Sequence, residues 1–253
     1  MRLENIIEEN FRLRGADGYA IPGVINQVRN KPSSRAVVMV HGLTCNQNSH
    51  PFPMAVTHFL AQGFDTIRFS VYGELPEARN SRHVTLNHFA QDLDTCLSHF
   101  APRYSAIYGV GHSYGGLGIM IANSPLLRAA SLWDPTYNPA DRSWMQDLLI
   151  DRGDDFEVNW INTYLFRKDL FREEDRYDLQ ACRDLGRQVR FPIQVLYAGD
   201  DLLVQIGESF SDYAMAAAES HIIEGMDHFF GNLPATAKLL DKTTEWFERH
   251  QAA

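Results

Sequence analysis

Cysteine is scarce in this sequence. The 253 residues include three cysteines, Cys45, Cys96 and Cys182, which lie far apart and never form a Cys-x-x-Cys pair. An odd number of widely spaced cysteines argues against a disulfide framework and against thiolate zinc or redox motifs. We therefore expect free thiols in a reducing compartment, which points to the cytoplasm.

Clusters of positive charge and long apolar runs are also lacking. The formal net charge is −9 at pH 7, and no stretch concentrates lysine and arginine as binding to a nucleic-acid backbone would require. No apolar run approaches the roughly 20 residues that span a bilayer. The first nine residues, MRLENIIEE, carry charges where a signal peptide has its apolar segment. We expect neither a nucleic acid nor a membrane among the partners.

Motifs for metals and cofactors are absent or weak. No His-Glu-x-x-His or comparable ligand spacing occurs, so we expect no metal and no cofactor. Gly109 and Gly111 before a helix, with Asp134 further on, resemble a dinucleotide fingerprint only faintly. That fingerprint needs Gly or Ala where this chain has Tyr114, and it usually opens the first βαβ unit.

Strand-like and helix-like stretches alternate along the chain. Residues 36–40 and 193–197 are short apolar runs typical of buried strands, and from residue 86 apolar positions recur at helical spacing. All-apolar strands that alternate with helices indicate a mostly parallel central sheet flanked by helices. The length suits one α/β domain with a full core.

The interval 135–190 interrupts this alternation. It contains no strand-like run and is rich in charged and aromatic residues. Because so long a structureless loop is improbable, we predict a helical lid, inserted into a core formed by 1–134 and 191–253 and lying over the carboxyl ends of the strands. Its aromatic residues form either its own core or a substrate wall, and the candidates for the wall are Trp144, Trp160, Tyr164 and Phe166.

A candidate nucleophile lies in Gly111-His112-Ser113-Tyr114-Gly115, which fits the pattern Gly-x-Ser-x-Gly. An apolar strand-like run precedes this motif and an apolar helix-like run follows it. In that context the pattern predicts a tight strand-to-helix turn that exposes the Ser113 hydroxyl, with glycines where side chains would collide.

A serine of this kind needs a histidine base and an acid, in the chain order Ser, acid, His. His228 lies in a glycine-bracketed loop after the last strand-like run, where a base can reach the rim of the sheet. A neutral imidazole with a pKa of about 6.5 can take the serine proton and return it. Asp201 is our first candidate for the acid, and Asp200 and Asp134 remain alternatives.

The tetrahedral intermediate requires two hydrogen-bond donors. One candidate is the backbone N–H of Tyr114, directly after the nucleophile. The other is the N–H of Leu43, in the loop that follows the strand at 36–40, where Gly42 allows the chain to turn. Together these two N–H groups would form an oxyanion hole. We expect His41 to be a packed structural residue beneath it.

These residues together resemble the α/β-hydrolase superfamily in motif and order over roughly residues 15 to 250. The opening His-Gly-Leu-Thr-Cys-Asn-Gln-Asn and the predicted lid are most similar to the serine-aminopeptidase-like branch, with its cinnamoyl-esterase-like members. The resemblance implies Ser113 as nucleophile, Asp201 as acid and His228 as base. It also implies Leu43 and Tyr114 as oxyanion donors.

The chain departs from that branch at two places near the mouth of the site. Residues 70–76 lack the usual Asp and Gly-x-Gly-x-Ser turn, and residues 202–205 lack the usual prolines. The predicted activity is hydrolysis of a small, soluble carboxylic ester through an acyl-enzyme. A thioesterase, an acyltransferase and a C–C bond hydrolase would use the same triad, and a catalytically silent binding module is the alternative outside enzymes.

Overall fold

The computed structural model describes residues 5–160, 162–200 and 207–251. The predicted acid Asp201 and the side chain of Trp144 lie outside this description. Both predictions therefore stay predictions.

An eight-stranded sheet forms the centre of the molecule. Its strands are β1 (Ile6–Arg14), β2 (Ala20–Val28), β3 (Arg35–Val40), β4 (Asp65–Phe69), β5 (Ala106–His112), β6 (Leu127–Trp133), β10 (Ile193–Ala198) and β11 (Ala218–Ile223), in the order β1-β2-β4-β3-β5-β6-β10-β11. β2 pairs with both β1 and β4 in antiparallel orientation, and the remaining neighbours pair in parallel. The mostly parallel sheet predicted from the sequence is confirmed.

In the described ranges, six α-helices accompany the strands: α1 (Phe52–Ala61), α2 (Leu86–Phe100), α3 (Tyr114–Ala122), α4 (Lys168–Glu174), α5 (Leu179–Gln188) and α6 (Leu233–Arg249). Among the described residues, no helix combines the length and apolar character that crossing a bilayer requires.

The sheet is buried on both faces. On β3, Val37 and Met39 belong to a cluster that contains residues of α1 and α6, whereas Val38 and Val40 belong to one that contains residues of α2 and α3. Successive side chains of a strand point to opposite faces, so an all-apolar strand supplies both clusters. The uninterrupted apolar sequence of β3 therefore reflects its position in a sheet that lies between two layers of helices.

The insertion, residues 135–190, is predicted from the sequence to be helical, but only part of it forms helices. It contains a 3-10 helix at Ser143–Leu148, then an antiparallel sheet of β7 (Leu149–Asp151), β8 (Asp155–Asn159) and β9 (Thr163–Arg167), and only then α4 and α5. In β8 the buried Val158 lies between Glu157 and Asn159, and in β9 the buried Phe166 lies between Leu165 and Arg167. Strands of five residues with two or three apolar side chains are too short to give a clear strand signal in the sequence.

The insertion shares its core with the central sheet. Its buried residues Val158, Phe166 and Leu170 belong to the same apolar cluster as Leu93 of α2 and Met120 of α3. The insertion is therefore packed against the main domain rather than forming a core of its own.

Candidate active site

Ser113 lies between the end of β5 and the start of α3, with φ of 53° and ψ of −119°. A side chain rarely occupies this backbone region, and holding one there costs about 1–3 kcal/mol. Such strain is typical of functional sites. The predicted strand-to-helix turn is therefore present, with the serine at its strained position.

Close backbone contacts explain the glycines around Ser113. A Cβ at Gly115 would come within 2.1 Å of the Val40 carbonyl oxygen, and one at Gly111 within 2.6 Å of the Gly115 backbone. Gly42, in the loop after β3, passes so near that an added Cβ would lie 2.9 Å from Ser113 Cβ. These contacts bring the Leu43 loop beside the serine.

His228 is buried and its Nδ1 lies 2.6 Å from Oδ2 of Asp134, whose side chain is also buried. This distance fits a charge-assisted hydrogen bond in which Nδ1–H donates to the carboxylate. The proton is thereby fixed on Nδ1, which makes Nε2 the basic nitrogen. The pair has the arrangement that a general base and its orienting acid require.

Asp134 directly follows β6 and has a φ of 44°. Its backbone N–H donates to the Leu196 carbonyl at 2.7 Å, and its Oδ1 accepts from the Ala198 N–H at 3.2 Å. The neighbouring strand β10 thus holds both ends of the residue, and the left-handed backbone turns the carboxylate toward His228. Asp200, by contrast, is exposed in the turn after β10.

Thr136 contacts the serine twice, and no sequence motif predicts these contacts. Its hydroxyl lies 3.3 Å from Ser113 Oγ, and its backbone N–H donates to the Ser113 carbonyl at 3.1 Å. Within the described residues, no hydrogen bond joins Ser113 Oγ to His228. Because either hydroxyl can donate, a Thr136 donor leaves the serine proton available for a base.

The two predicted oxyanion donors belong to different segments beside Ser113. Tyr114 is the first residue of α3, and Leu43 is in the turn closed by the Cys45 N–H to the Gly42 carbonyl at 3.3 Å. In the part of the chain that is described, neither the Leu43 nor the Tyr114 N–H has a protein acceptor. Two such N–H groups beside the nucleophile are what an oxyanion hole needs.

His41 is a packed structural residue, as expected. Its Nδ1 donates to the Gly42 carbonyl at 2.8 Å, and its Nε2 accepts from the Val71 N–H at 3.0 Å. Burial lowers the pKa of His41 to about 4. Protonation would also place a second N–H against that of Val71. The neutral His41 ring therefore connects the Leu43 turn to the loop after β4 through these two hydrogen bonds.

This low pKa predicts a loss of stability in mild acid. The folded state resists protonation of His41 whereas the unfolded chain binds a proton near pH 6.5, so stability falls as the pH drops from about 6.5 toward 4. Between pH 7 and pH 5 we expect His41 to account for a loss of about 2 kcal/mol in the free energy of unfolding, measured by urea denaturation.

The matched variants are His41→Gln and His99→Gln, since the ring of His99 is exposed. We expect the first to be less stable at pH 7 but to lose about 2 kcal/mol less than the wild type between the two pH values. The second should keep the wild-type pH dependence. If the free energy of unfolding changed equally with pH in all three proteins, the assignment of this stability loss to His41 would be wrong.

His112, the variable residue before the serine, also has a structural partner. Its Nε2 lies 2.8 Å from the His228 carbonyl oxygen, and the two rings have centroids 4.8 Å apart. It therefore fixes the loop that carries the base. The Gly-x-Ser-x-Gly pattern leaves this position open, so the motif alone could not have identified it.

Residues between β8 and β9 bring the insertion to this site. The half-buried Trp160 lies 5.3 Å from the His228 ring, centroid to centroid, at an interplanar angle of 32°. Asn162 Nδ2 donates to the Thr44 carbonyl at 3.0 Å. Tyr164 is half-buried against Tyr72, with centroids 5.5 Å apart.

Phe166 differs from the other predicted wall residues because its side chain is fully buried. Its ring lies 5.6 Å from that of Tyr72 and 5.8 Å from that of Tyr164, centroid to centroid. The structure thus places Phe166 in the core that the insertion shares with the central sheet, and Trp160 beside the histidine.

The sequence matches a protein-family model described as the alpha/beta hydrolase family, over residues 37–240. The chain belongs to this family. It is therefore a hydrolase of the α/β-hydrolase superfamily, and the matched residues include the serine turn, Asp134 and His228. No curated protein sequence matches this α/β hydrolase significantly.

Solved structures with the same fold include several hydrolases. The esterase domain of a Rhodothermus marinus protein is 17% identical, with a TM-score of 0.74, and the match covers 96% of this chain and 99% of that chain. Est1E from Butyrivibrio proteoclasticus is 16% identical, with a TM-score of 0.76 and coverage of 95% and 98%. Dienelactone hydrolase from Anabaena variabilis is 14% identical, with a TM-score of 0.71 and coverage of 98% and 100%.

Proposed function

We propose that this α/β hydrolase is a serine hydrolase that cleaves small carboxylic esters through an acyl-enzyme. The observation that carries the proposal is the strained Ser113 beside a buried His228–Asp134 pair separated by 2.6 Å. Ser113 is the nucleophile and His228 the base. Asp134 takes the role of the acid in this proposal, because its carboxylate already contacts Nδ1 of the histidine.

Acylation begins when Nε2 of His228 takes the proton of Ser113 Oγ and the oxygen attacks the ester carbonyl carbon. The carbonyl oxygen becomes an oxyanion, which the N–H groups of Leu43 and Tyr114 stabilise. The tetrahedral intermediate then collapses and the bond to the alcohol oxygen breaks. The His228 imidazolium, stabilised by the Asp134 carboxylate, returns its proton to the leaving alcohol.

Deacylation repeats these steps with water. His228 takes a proton from the water as its oxygen attacks the acyl-enzyme, and the same two N–H groups stabilise the second oxyanion. Collapse releases the carboxylic acid and returns the proton to Ser113 Oγ. The net reaction converts one ester and one water into an acid and an alcohol.

The insertion contributes a wall beside this chemistry in our proposal. Trp160 lies next to the His228 ring and makes an edge contact with Phe229, with centroids 5.7 Å apart. Aromatic groups at that position would exclude water and hold an apolar or aryl part of the substrate. We expect Trp160→Ala to change the ranking of ester substrates.

The proposal is tested with purified protein, a fluorophosphonate probe and a panel of p-nitrophenyl, feruloyl, thioester and amide substrates. A feruloyl ester belongs in the panel because one structure of Est1E contains ferulic acid. We expect covalent labelling at Ser113 and the highest kcat/KM on an ester. Labelling without ester cleavage, but with thioester cleavage, would reassign the substrate. The absence of any adduct would favour a silent binding module.

A further inference from the structure

A polar cleft lies beside the Leu43 turn, away from His228. It has a volume of about 590 Å³ and is bounded by the loop after β3, the loop after β4 and residues 162–164 of the insertion. Asn162 of its rim donates to the Thr44 carbonyl, one residue from Leu43. The cleft therefore adjoins the proposed oxyanion hole, and its volume is that of a typical small-molecule site.

The lining of the cleft is rich in groups that both donate and accept hydrogen bonds. Four primary amides line it, together with hydroxyl groups: Asn46, Gln47, Asn48, Asn162, Ser70 and Thr163. An amide side chain offers a carbonyl oxygen and an NH₂ group, which together match the mixed donor and acceptor character of a hydroxyl group. A surface of this kind suits a neutral ligand with several hydroxyls.

Charge in the cleft disfavours an anionic ligand. Glu74 is the charged residue that lines it, and Arg68, behind the lining, already has protein partners. Arg68 Nη1 donates to the Gln47 carbonyl at 3.1 Å and to Asn48 Oδ1 at 3.0 Å, and its Nη2 lies 3.3 Å from a Glu8 carboxylate oxygen. No free cation is thus available among the described residues that line the cleft.

Among the described residues that line the cleft, Gln47 Oε1 and the Tyr72 hydroxyl are buried without a hydrogen-bond partner. Thr44 Oγ1, next to Leu43, is a third buried oxygen of this kind. Tyr72 is 1% exposed. Unsatisfied buried groups destabilise a fold, so a cluster of them calls for a functional reason.

We propose that this cleft binds a neutral, polyhydroxylated part of the ester substrate, such as a glycosyl or glyceryl unit. The inference rests on the proposed function, because it places this group next to the ester carbonyl in the oxyanion hole. The amides hydrogen-bond the hydroxyls, and the ring of Tyr164 supplies an aromatic wall. An aryl or apolar part of the same ester would lie beside Trp160.

Gly73 offers a direct test, because it lines the cleft and a Cβ added there would meet no atom within 4 Å. Gly73→Leu would therefore add an apolar side chain to the lining of the cleft, with room for its Cβ among the described residues. We compare kcat/KM for glucosyl acetate, glyceryl acetate and ethyl gluconate with that for ethyl acetate. We expect this variant to lower the ratio of polyhydroxylated to simple ester about tenfold or more, chiefly through KM.

Gln47→Leu separates ligand binding from stability. Gln47 Oε1 has no protein partner to lose, so we expect an unchanged or higher Tm together with a three- to tenfold fall in the same ratio, the effect of about one hydrogen bond. Gln180→Leu, on the exposed face of α5, is the matched control and should change neither quantity.

Comparison of the three polyhydroxylated esters shows whether the alcohol or the acyl group of the substrate enters the cleft. A preference for the glucosyl or glyceryl acetate places the alcohol there, and a preference for ethyl gluconate places the acyl group there. Unchanged ratios in both cleft variants of an enzyme that cleaves ethyl acetate would overturn the cleft proposal alone. A wild type that neither cleaves ethyl acetate nor reacts with the fluorophosphonate would overturn the proposed function instead.

Discussion

Replacing Ser113 with alanine is expected to lower kcat for ester hydrolysis by about 10⁵-fold or more, the loss typical of removing a triad nucleophile. Alanine keeps the Cβ that packs near Gly42 but removes the Oγ that forms the acyl-enzyme. We expect the fluorophosphonate adduct of the wild type to be absent from this variant in intact-mass measurements. An adduct on the variant would move the nucleophile elsewhere.

The backbone of Ser113 supplies an independent control. Its φ of 53° and ψ of −119° suit glycine better than any side chain. Ser113→Gly should therefore be as inactive as Ser113→Ala but more stable than it by about 1 kcal/mol in urea denaturation. If glycine proved less stable than alanine, the elbow would not be strained and this interpretation of the turn would be wrong.

The serine turn could be predicted from sequence because its determinants are local. The glycines at 111 and 115 are required by backbone contacts within a few residues and with the adjacent strand β3, and apolar runs on both sides mark the strand and the helix. The position of His228 is likewise set by the end of a strand and a short loop. Such short-range signals survive in a single sequence.

The features that favour Asp134 over Asp200 in our proposal are not local in the sequence. Asp134 and Asp200 follow neighbouring parallel strands, β6 and β10, so the sheet delivers both loops to the same edge. What distinguishes Asp134 is its left-handed backbone and the Ala198 N–H that fixes its carboxylate. Neither feature has a sequence signal, because an aspartate before a proline is commonplace in turns.

The secondary structure of the insertion also could not be predicted from local sequence signals. The pairing of β8 with β9 accompanies burial of Val158 and Phe166 against the main core. Strands of only five residues flanked by charged residues resemble loop sequence until a packing partner is known. The strand conformation of β8 and β9 therefore depends on tertiary packing, which a single sequence does not show.

Asp134→Asn is expected to lower kcat by about 10⁴-fold while leaving the fold nearly unchanged. The Ala198 N–H must still donate to an oxygen at this position, and it lies 3.2 Å from Oδ1. The asparagine amide would therefore direct its NH₂ group at His228 Nδ1. The histidine would then carry its proton on Nε2 and could no longer accept the proton of Ser113.

Matched aspartate variants make the assignment testable. Asp200→Asn should have little effect, since Asp200 is exposed, and Asp201→Asn should cost far less than Asp134→Asn if Asp134 orients the base. Steady-state kinetics on one p-nitrophenyl ester, with Tm as the control for folding, measures all three. Similar losses at 134 and 201 would require an acid role shared by two carboxylates. A larger loss at 201 would return that role to Asp201 and leave Asp134 as a support for the histidine loop.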